Sequence, residues 1–354
     1  MAPAMDFLPS RLYHCAAIAA QERQRYASRC WHPVAAAAEL PPDGALAVEL
    51  LGMPLLLTRP GGGEPRAFFN RCLHRGVALL EPGAARSGCL RLVCPYHGWS
   101  YSLAGELLAA ARESEFCAPF DRRAWPLERL LCRQLGPLIW VATGPDPLPL
   151  EQQLDLVLAE AGPLFEAPRQ LLARQLTPLA CNWKTAHDNT LDDYHVAIAH
   201  PTTLHREQGP VRDYRHGLSE HANLLSTPHA DGGTFLTFGL LPWTHLLLWP
   251  DRRLALIQFL PEALDPQRCT MAVWLLGPEG DAVAATAWMA ELQRFLEEDR
   301  RLVESAQRGY RSGLVPGPAH RLERRILQWQ ALYRAWMEPA ITSSAAAARP
   351  PSPH

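Results

Sequence analysis

Lysine is almost absent from this chain of 354 residues: Lys184 is the only one, and arginine carries nearly all of the positive charge. The formal net charge is −2, so there is no basic field to attract nucleic acid or an anionic membrane surface. No apolar run approaches the roughly 18 residues expected of a membrane span. The N-terminal sequence lacks the charged start and apolar core of a secretory signal. These absences predict a soluble cytoplasmic protein that binds neither nucleic acid nor membrane.

Cysteine is better represented, but its nine copies are an odd number in a long chain without a secretory signal. A disulfide framework is therefore not expected, and metal ligands or free thiols are the better prediction. Hydrophobic residues make up 48% of the chain and charged residues 20%, which is ordinary globular usage. A chain of this length and composition can bury a large core.

The sequence divides into four segments that differ in composition and hydrophobic pattern. Residues 1–35 contain a short helical pattern, which is predicted to pack on the third segment. Residues 36–145 hold short apolar runs separated by glycine and proline, which predict a small all-β domain. Residues 146–340 follow a proline-dense linker and contain strand-like runs and then helical periodicity, which indicates an α+β domain with an antiparallel sheet. Residues 341–354 are mostly alanine, serine and proline and are predicted to be disordered.

Two short segments of the β domain each combine one cysteine with one histidine. The first holds Cys72 and His74, and the second holds Cys94 and His97. Such a set could close a tetrahedral zinc site. Alternatively, two cysteines could bind one iron and two histidines the other iron of a [2Fe–2S] cluster. Each segment mixes the two residue types, which favours the cluster. Cys89 fits neither pattern and is predicted to be an unligated thiol.

A second group of metal-binding residue types follows in the α+β domain. Asp192 and His195 are three residues apart, so they would share one face of a helix. Pro201 disfavours helical geometry at His200, so the helix should end there and leave that side chain free to turn back. Two neutral imidazoles and one carboxylate leave open coordination positions, which is the arrangement of non-haem Fe(II) oxygenases.

Both groups resemble one known family. The cysteine–histidine segments resemble the Rieske motif, and residues 69–105 resemble the Rieske domain of ring-hydroxylating oxygenases. The second group resembles the mononuclear-iron motif of the same family, and the likeness covers roughly residues 20–335. It implies a Rieske domain followed by a helix-grip catalytic domain, with an antiparallel sheet flanked by helices.

The resemblance also implies roles for individual residues. His195 and His200 would bind the mononuclear iron, and Asn189 matches an asparagine near it. Asp192 would link His195 of one subunit to the Rieske ligand His97 of a neighbouring subunit in a homotrimer.

The third iron ligand is expected from a later helix. In the family an acid pair precedes a glutamate and a glutamine at the spacing found here, and its second member binds iron. This implies Asp299 as the ligand, with Glu298 as the alternative. Two nearby residues, Asp193 and His187, match no ligand position and are expected at the surface or behind the ligands.

The implied cofactors are a Rieske [2Fe–2S] cluster and a mononuclear Fe(II), with O₂ as co-substrate. The sequence contains no G-x-G-x-x-G fingerprint and no plant-type ferredoxin cysteine run. Electrons from NAD(P)H would therefore arrive only through a separate reductase, in some systems with a ferredoxin.

The predicted function is that of a terminal oxygenase component that hydroxylates or oxidatively demethylates a small organic substrate. Two alternatives are a Rieske electron-transfer protein without oxygenase activity and a zinc-stabilised binding module. The substrate could be an aromatic molecule or a methylated amine held by cation–π contact. The residues considered for its pocket, or else for the core, are Phe235, Phe238, Trp243, His245 and Trp249.

Overall fold

The computed structural model of the chain describes residues 7–278, 282–314 and 316–347. These residues form two compact units. The first unit comprises residues 27–148 and 168–171, and the second contains the remaining described residues. The predicted β domain began at residue 36, whereas this unit begins at residue 27, because the strand His32–Ala36 pairs with the strand Leu138–Ala142.

The first unit is built from short antiparallel strands, as its closely spaced turn residues predicted. A seven-stranded sheet has the order β1-β10-β9-β4-β3-β2-β5, and a three-stranded sheet has the order β6-β7-β8. The strands are β1 (His32–Ala36), β2 (Ala45–Leu50), β3 (Met53–Thr58), β4 (Arg66–Phe69), β5 (Ala85–Arg86), β6 (Leu92–Val93), β7 (Ser100–Tyr101), β8 (Leu107–Ala109), β9 (Arg129–Leu135) and β10 (Leu138–Ala142).

The three-stranded sheet presents one cysteine–histidine segment as the tip of a hairpin. Leu92 of β6 lies opposite Tyr101 of β7. At the tip the Cys94 N–H donates a hydrogen bond to the Trp99 carbonyl at 2.7 Å. The other segment begins just after β4 ends at Phe69.

The second unit combines one long antiparallel sheet with helices, so the predicted α+β class is confirmed. Its helices are α1 (Ala16–Arg29, whose last turn enters the first unit), α2 (Leu150–Gln153), α3 (Asp155–Glu166), α4 (Trp183–Thr190), α5 (Val196–Ala199), α6 (Leu204–Gln208), α7 (Ala282–Arg311) and α8 (Arg324–Ala347). Its strands are β11 (Gln170–Leu179, whose first two residues belong to the first unit), β12 (Arg215–Leu218), β13 (Ala222–Pro228), β14 (Thr234–Leu240), β15 (Thr244–Leu248), β16 (Leu254–Pro261) and β17 (Cys269–Gly277).

The sheet order is β11-β17-β16-β15-β14-β13-β12, and the pairs from β12 to β17 are antiparallel. Strands β14 to β17 correspond to the strand-like runs predicted in residues 146–340, whereas β11, β12 and β13 were not foreseen. Strand β11 keeps most of its residues exposed or half-buried, so its sequence lacks the apolar run of a core strand.

Buried polar contacts fix the start of α4, the helix that leads into the predicted iron motif. The Asn182 side chain accepts a hydrogen bond from the Lys184 N–H at 2.9 Å and so caps the helix. Lys184 is fully buried and pairs with Glu22 of α1 at 2.7 Å. Gln307 of α7 accepts hydrogen bonds from the Asn182 N–H and from the Thr185 hydroxyl. These contacts hold α4 against α1 and α7.

The C-terminal segment begins as part of a helix. The predicted disordered tail, 341–354, starts within α8, which continues to Ala347, and residues 348–354 lie outside the described residues.

Within the described residues, no helix combines the length and the apolar character needed to cross a membrane.

Candidate metal centres

Two similar turns carry the cysteine–histidine pairs of the first unit. In the first, the Gly76 N–H donates to the Cys72 carbonyl at 2.8 Å. In the second, the Gly98 N–H donates to the Cys94 carbonyl at 3.1 Å. The two glycines have φ angles of 75° and 71°, in the left-handed region that side chains disfavour. Each turn is therefore closed by its own local sequence.

The four predicted cluster ligands form two pairs of different exposure. Cys72 and Cys94 are 1% and 2% exposed, so both thiols face the core. His74 and His97 are partly exposed, and their Nδ1 atoms lie 3.1 Å apart. The His74 ring stacks on Trp99, with ring centroids 5.2 Å apart. Two thiols lie inside, and two imidazoles converge nearer the surface.

The surroundings of the thiols suit a metal cluster. Burial raises the pKa of the Cys72 thiol, so its thiolate form needs a cation beside it. The Tyr101 hydroxyl lies 3.5 Å from Cys72 Sγ and accepts a hydrogen bond from the Leu73 N–H. Two thiolates and two imidazoles are the donors that a Rieske [2Fe–2S] cluster takes, so the residues present fit this group. Cys89 packs partly buried against the same core.

In the second unit, two histidines and one carboxylate bring a donor atom each to one point. His195 Nε2 lies 3.2 Å from His200 Nε2 and 3.3 Å from Asp299 Oδ1. His200 Nε2 lies 2.8 Å from the same oxygen. The three donor atoms all lie within 4.8 Å of one another. This donor set fits a mononuclear iron of the two-histidine, one-carboxylate type.

The helix predicted across this motif is interrupted. α4 ends at Thr190, and the short α5 starts only after His195. The predicted shared helix face of Asp192 and His195 is therefore wrong, although the two side chains still meet. His195 Nδ1 lies 3.4 Å from Asp192 Oδ2, which is an ion-pair contact rather than a short hydrogen bond. α5 ends before Pro201, as the sequence predicted, and His200 follows its last residue.

Neighbouring acids of α7 contact opposite nitrogens of one imidazole. Asp299 Oδ1 faces Nε2 of His200, while Glu298 Oε2 lies 2.7 Å from Nδ1 of the same ring. Glu298 also accepts a hydrogen bond from the Thr203 hydroxyl at 2.7 Å. Consecutive residues of a helix point about 100° apart, so the two carboxylates reach different sides of the ring. Asp299 is thus at the convergence point, and Glu298 is behind the histidine.

Both histidines of this site have a carboxylate on their second nitrogen. Asp192 faces Nδ1 of His195, and Glu298 faces Nδ1 of His200. Such partners commonly fix the orientation and tautomer of metal-binding histidines. Asp192 is itself held in place, because its other oxygen accepts a hydrogen bond from the Tyr194 N–H at 2.8 Å.

The electrostatics of the site favour a positive charge at the convergence point. Burial alone would lower the pKa of His195, but its contacts with Asp192 and Asp299 outweigh burial and raise the pKa to about 10. Burial would likewise raise the pKa of Asp299, yet His195 and His200 hold it below its usual value. A site that stabilises a proton on imidazole in this way also attracts a metal cation.

The two residues expected at the surface or behind the ligands are both buried. Asp193 is 2% exposed and forms an ion pair with Arg325 of α8 at 3.1 Å and with His216 at 2.8 Å. His187 is completely buried, and burial together with the charge of Arg325 lowers its pKa to about 3. A surface position is therefore wrong for both. Asp193 anchors the loop between α4 and α5, and its partner Arg325 could not be foreseen from the sequence.

A cavity of about 30 Å³ opens beside the convergence point. His195 and Asp299 line it, together with Asn189 and Asp192. A larger cavity of about 140 Å³ lies nearby, and Phe295 lines both. The inner cavity holds little more than a water molecule. An organic substrate must therefore displace side chains in order to enter.

Among the five residues considered for the pocket, only His245 lines the inner cavity. Trp249 lines the larger one. The other three, Phe235, Phe238 and Trp243, are completely buried core residues.

Comparison with known families agrees with this geometry. The Rieske [2Fe-2S] domain model matches residues 30–119, and the ring hydroxylating alpha subunit (catalytic domain) model matches residues 166–339. Fold and donor sets together define a Rieske non-haem iron oxygenase, which excludes both the zinc module and the simple electron carrier. The chain belongs to the family of ring-hydroxylating oxygenase alpha subunits. It is thus a terminal oxygenase component that uses O₂ and electrons from a separate reductase.

Relatives at the sequence level cover most of the chain. The carnitine monooxygenase oxygenase subunit of Escherichia coli (strain K12) is 28% identical over 86% of this chain and 84% of its own length. The glycine betaine monooxygenase oxygenase subunit of Chromohalobacter salexigens is 25% identical over 89% and 82%, respectively. The chloroplastic choline monooxygenase of Beta vulgaris is 34% identical, but over only 41% of this chain and 33% of its own.

Solved structures share the fold. A quaternary ammonium Rieske monooxygenase matches 94% of this chain and 95% of its own with a TM-score of 0.82 at 23% identity. Naphthalene 1,2-dioxygenase from Rhodococcus sp. matches 96% of this chain and 95% of its own with a TM-score of 0.74 at 18% identity.

Proposed function

We propose that His195, His200 and Asp299 bind the mononuclear iron and that a small organic substrate is hydroxylated in the cavity beside them. The observation that carries this proposal is the convergence of three donor atoms within 4.8 Å, two of them from residues that line that cavity. A balanced monooxygenation consumes one O₂, two electrons and two protons and yields one hydroxyl group and one water. The relatives named above are monooxygenases, which supports this outcome over dihydroxylation.

The cluster ligands are assigned from the donors of the first unit, which are two buried cysteines and two partly exposed histidines. Cys72 and Cys94 would bind one iron of the cluster, and His74 and His97 would bind the other. When bound, the cluster supplies single electrons, and the ferrous ion supplies open positions for O₂. Because these histidines are partly exposed, we expect electrons to leave the cluster at the surface of this unit.

The protein's own residues orient the iron site and keep it dry. Asp192 and Glu298 face the Nδ1 atoms of the two histidines, which leaves both Nε2 atoms directed at the convergence point. Apolar side chains such as Leu204, Leu247 and Ile257 line the cavity and limit the water that can enter. Exclusion of water protects a reactive centre from side reactions.

Asp192 is suited to connect the two centres across a subunit boundary. One carboxylate oxygen faces His195, and the side chain remains 23% exposed. It also lines a further cavity, of about 210 Å³. His97 of the partner subunit could donate its remaining ring N–H to this carboxylate in a homotrimer. A similar solved structure is described as revealing inter-subunit electron transfer, which supports the proposal.

The experiment that tests the proposed function uses protein reconstituted with cluster and iron, a surrogate reductase and ¹⁸O₂. A panel of small alcohols, phenols and methylated amines is screened for stimulated oxygen uptake and for products that carry one ¹⁸O atom. At least one compound should give both, and His200→Ala should abolish both while the visible spectrum of the cluster remains. If the cluster cycles electrons but no compound alters oxygen uptake, the proposed function is wrong.

A further inference from the structure

One face of the long sheet forms the wall of the iron-site cavity. Thr237 of β14 pairs with Leu247 of β15, and His245 of β15 pairs with Ile257 of β16. Because side chains alternate along a strand, this register places all four on the same face. All four line the cavity that also contains His195. The sheet wall thus offers two apolar and two polar side chains to whatever enters.

The two polar side chains each have an atom without a hydrogen-bond partner among the described residues. These atoms are Thr237 Oγ1 and His245 Nδ1. The residues are 1% and 5% exposed, so bulk water does not reach them freely. Buried polar groups in folded proteins are nearly always hydrogen-bonded, and exceptions at a cavity wall point to a ligand or to ordered water.

This wall carries no charge that would attract a cation. His245 is neutral, because burial lowers its pKa far below the ordinary value, and the charge of Arg325 and nearby His187 act in the same direction. Three carboxylates also line the cavity, but each already has a partner. Asp193 is paired with Arg325 and His216, Asp192 faces His195, and Asp299 is the proposed iron ligand. A neutral imidazole offers one donor and one acceptor, and a hydroxyl offers both.

The cavity also lacks the aromatic surface that binds quaternary ammonium groups. Among the described residues that line it, Phe295 is the only phenylalanine, tyrosine or tryptophan. The nearby tryptophans Trp249 and Trp288 line the larger cavity instead, and the Arg253 guanidinium lies over both rings at 5.4 Å and 5.2 Å. These two faces are therefore occupied by the protein's own cation.

We propose that Thr237 and His245 are the substrate-recognition residues of this oxygenase, and that its substrate is a neutral molecule with a hydroxyl or carbonyl group rather than a quaternary ammonium compound. The inference rests on the proposed function, because the cavity is taken as the substrate site. It separates this chain from relatives whose names specify carnitine, glycine betaine or choline.

The first test compares probes of equal shape and different charge. Choline and its carbon isostere 3,3-dimethylbutan-1-ol form one pair, and 3-hydroxyphenyltrimethylammonium and 3-tert-butylphenol form the other. Binding to the cluster- and iron-loaded protein is measured by equilibrium dialysis under argon, so the result does not depend on turnover. The neutral member should bind at least tenfold more tightly in one pair or both. Tighter binding of the cation in either pair, or no binding of either neutral probe, would overturn the proposal.

The second test removes the polar atoms one at a time. Thr237→Val and His245→Leu should each weaken binding of 3-tert-butylphenol by about tenfold, the usual effect of one lost hydrogen bond to a buried partner. Binding of tert-butylbenzene, which has no hydroxyl, should change less than twofold. Thr227→Val is the matched control, because Thr227 is an equally buried threonine of the same sheet, also without a hydrogen-bond partner for its hydroxyl among the described residues, and does not line this cavity.

The outcomes separate this inference from the proposed function. Unchanged binding of the phenol in both variants, with an intact cluster spectrum, would overturn the recognition role even if ¹⁸O-labelled products form. Selective weakening of the phenol would support the role even if no product is ever detected, since dialysis reports binding alone. Equal weakening of both probes would indicate damage to the cavity and would also count against specific recognition.

Discussion

The two metal-binding regions are assembled over very different distances along the chain. In the first unit all four donors lie between Cys72 and His97, in two turns that close on their own glycines. In the second unit His200 and Asp299 meet although 99 residues separate them, and the loop between α4 and α5 is tied to α8 by Arg325. The first site is therefore a local structure presented by hairpins, whereas the second exists only when the whole unit is folded.

The largest loss of function is expected when a ligand of the cluster is replaced. Cys94→Ser should abolish the visible absorption of the cluster and all substrate-dependent oxygen uptake, because one thiolate of the donor set is lost. Cys89→Ala is the matched control, since it removes a cysteine from the same domain that fits no ligand position. Equal bleaching of both variants would show that the cluster has been placed on the wrong thiols.

Loss of the mononuclear iron from the second unit should leave the cluster of the first unit intact. Asp299→Ala should lose nearly all mononuclear iron and turnover while the cluster spectrum is unchanged, because two imidazoles alone hold Fe(II) weakly. Metal analysis and visible spectroscopy on the same sample measure both sites. Glu297→Ala controls for removal of an acid from α7, since its side chain is 50% exposed and forms ion pairs with Arg300 and Arg301. Iron loss in the control but not in Asp299→Ala would contradict the assignment.

The ion pair that anchors the loop between α4 and α5 should contribute to the stability of the second unit. Arg325→Leu leaves the buried carboxylate of Asp193 without its main partner, and we expect a loss of about 3–5 kcal/mol in the free energy of unfolding. Denaturant titration of the second unit measures it, with Arg321→Leu on the exposed surface as control, expected within about 0.5 kcal/mol of the parent. A loss below about 1 kcal/mol would mean that the ion pair does not hold the loop.

A smaller effect is expected where the two regions are proposed to meet. Asp192→Asn keeps the shape of the side chain but loses its charge, so electron transfer to the iron site should slow by roughly 10–100-fold with iron retained. Mixing reduced protein with substrate and O₂ and following reoxidation of the cluster gives the rate. Normal reoxidation would restrict Asp192 to a contact with His195 inside one subunit.

The smallest effect concerns the acid behind the second histidine. Glu298→Gln keeps an oxygen for the contact with Nδ1 of His200 but removes the charge, so iron affinity should fall by about tenfold. Competition with a chelator measures it, and Glu297→Gln should leave affinity unchanged. A complete loss of iron in Glu298→Gln, beside a silent Asp299 variant, would move the ligand by one residue.

Patterns in the sequence predicted some elements of the second unit and missed others. The four central strands and both long helices followed from apolar runs and helical periodicity, but β11 was missed because it is largely exposed. The helix assumed through Asp192 and His195 was wrong, because an i, i+3 spacing says which residues could share a face and not whether the helix continues. The loop that replaces it depends on partners in β12 and α8, which local sequence does not reveal.

The sequence by itself determined the residue types and spacing of both donor sets, because turns of a few residues and their glycines obey local rules of backbone geometry. It also determined the succession of a β unit and an α+β unit. Only the tertiary structure decided which of two adjacent acids lies at the convergence point, that Asp193 is buried against Arg325, and that Thr237 and His245 face the iron-site cavity. These features depend on sheet register and on packing between elements up to about a hundred residues apart, where contacts are set by the folded unit as a whole.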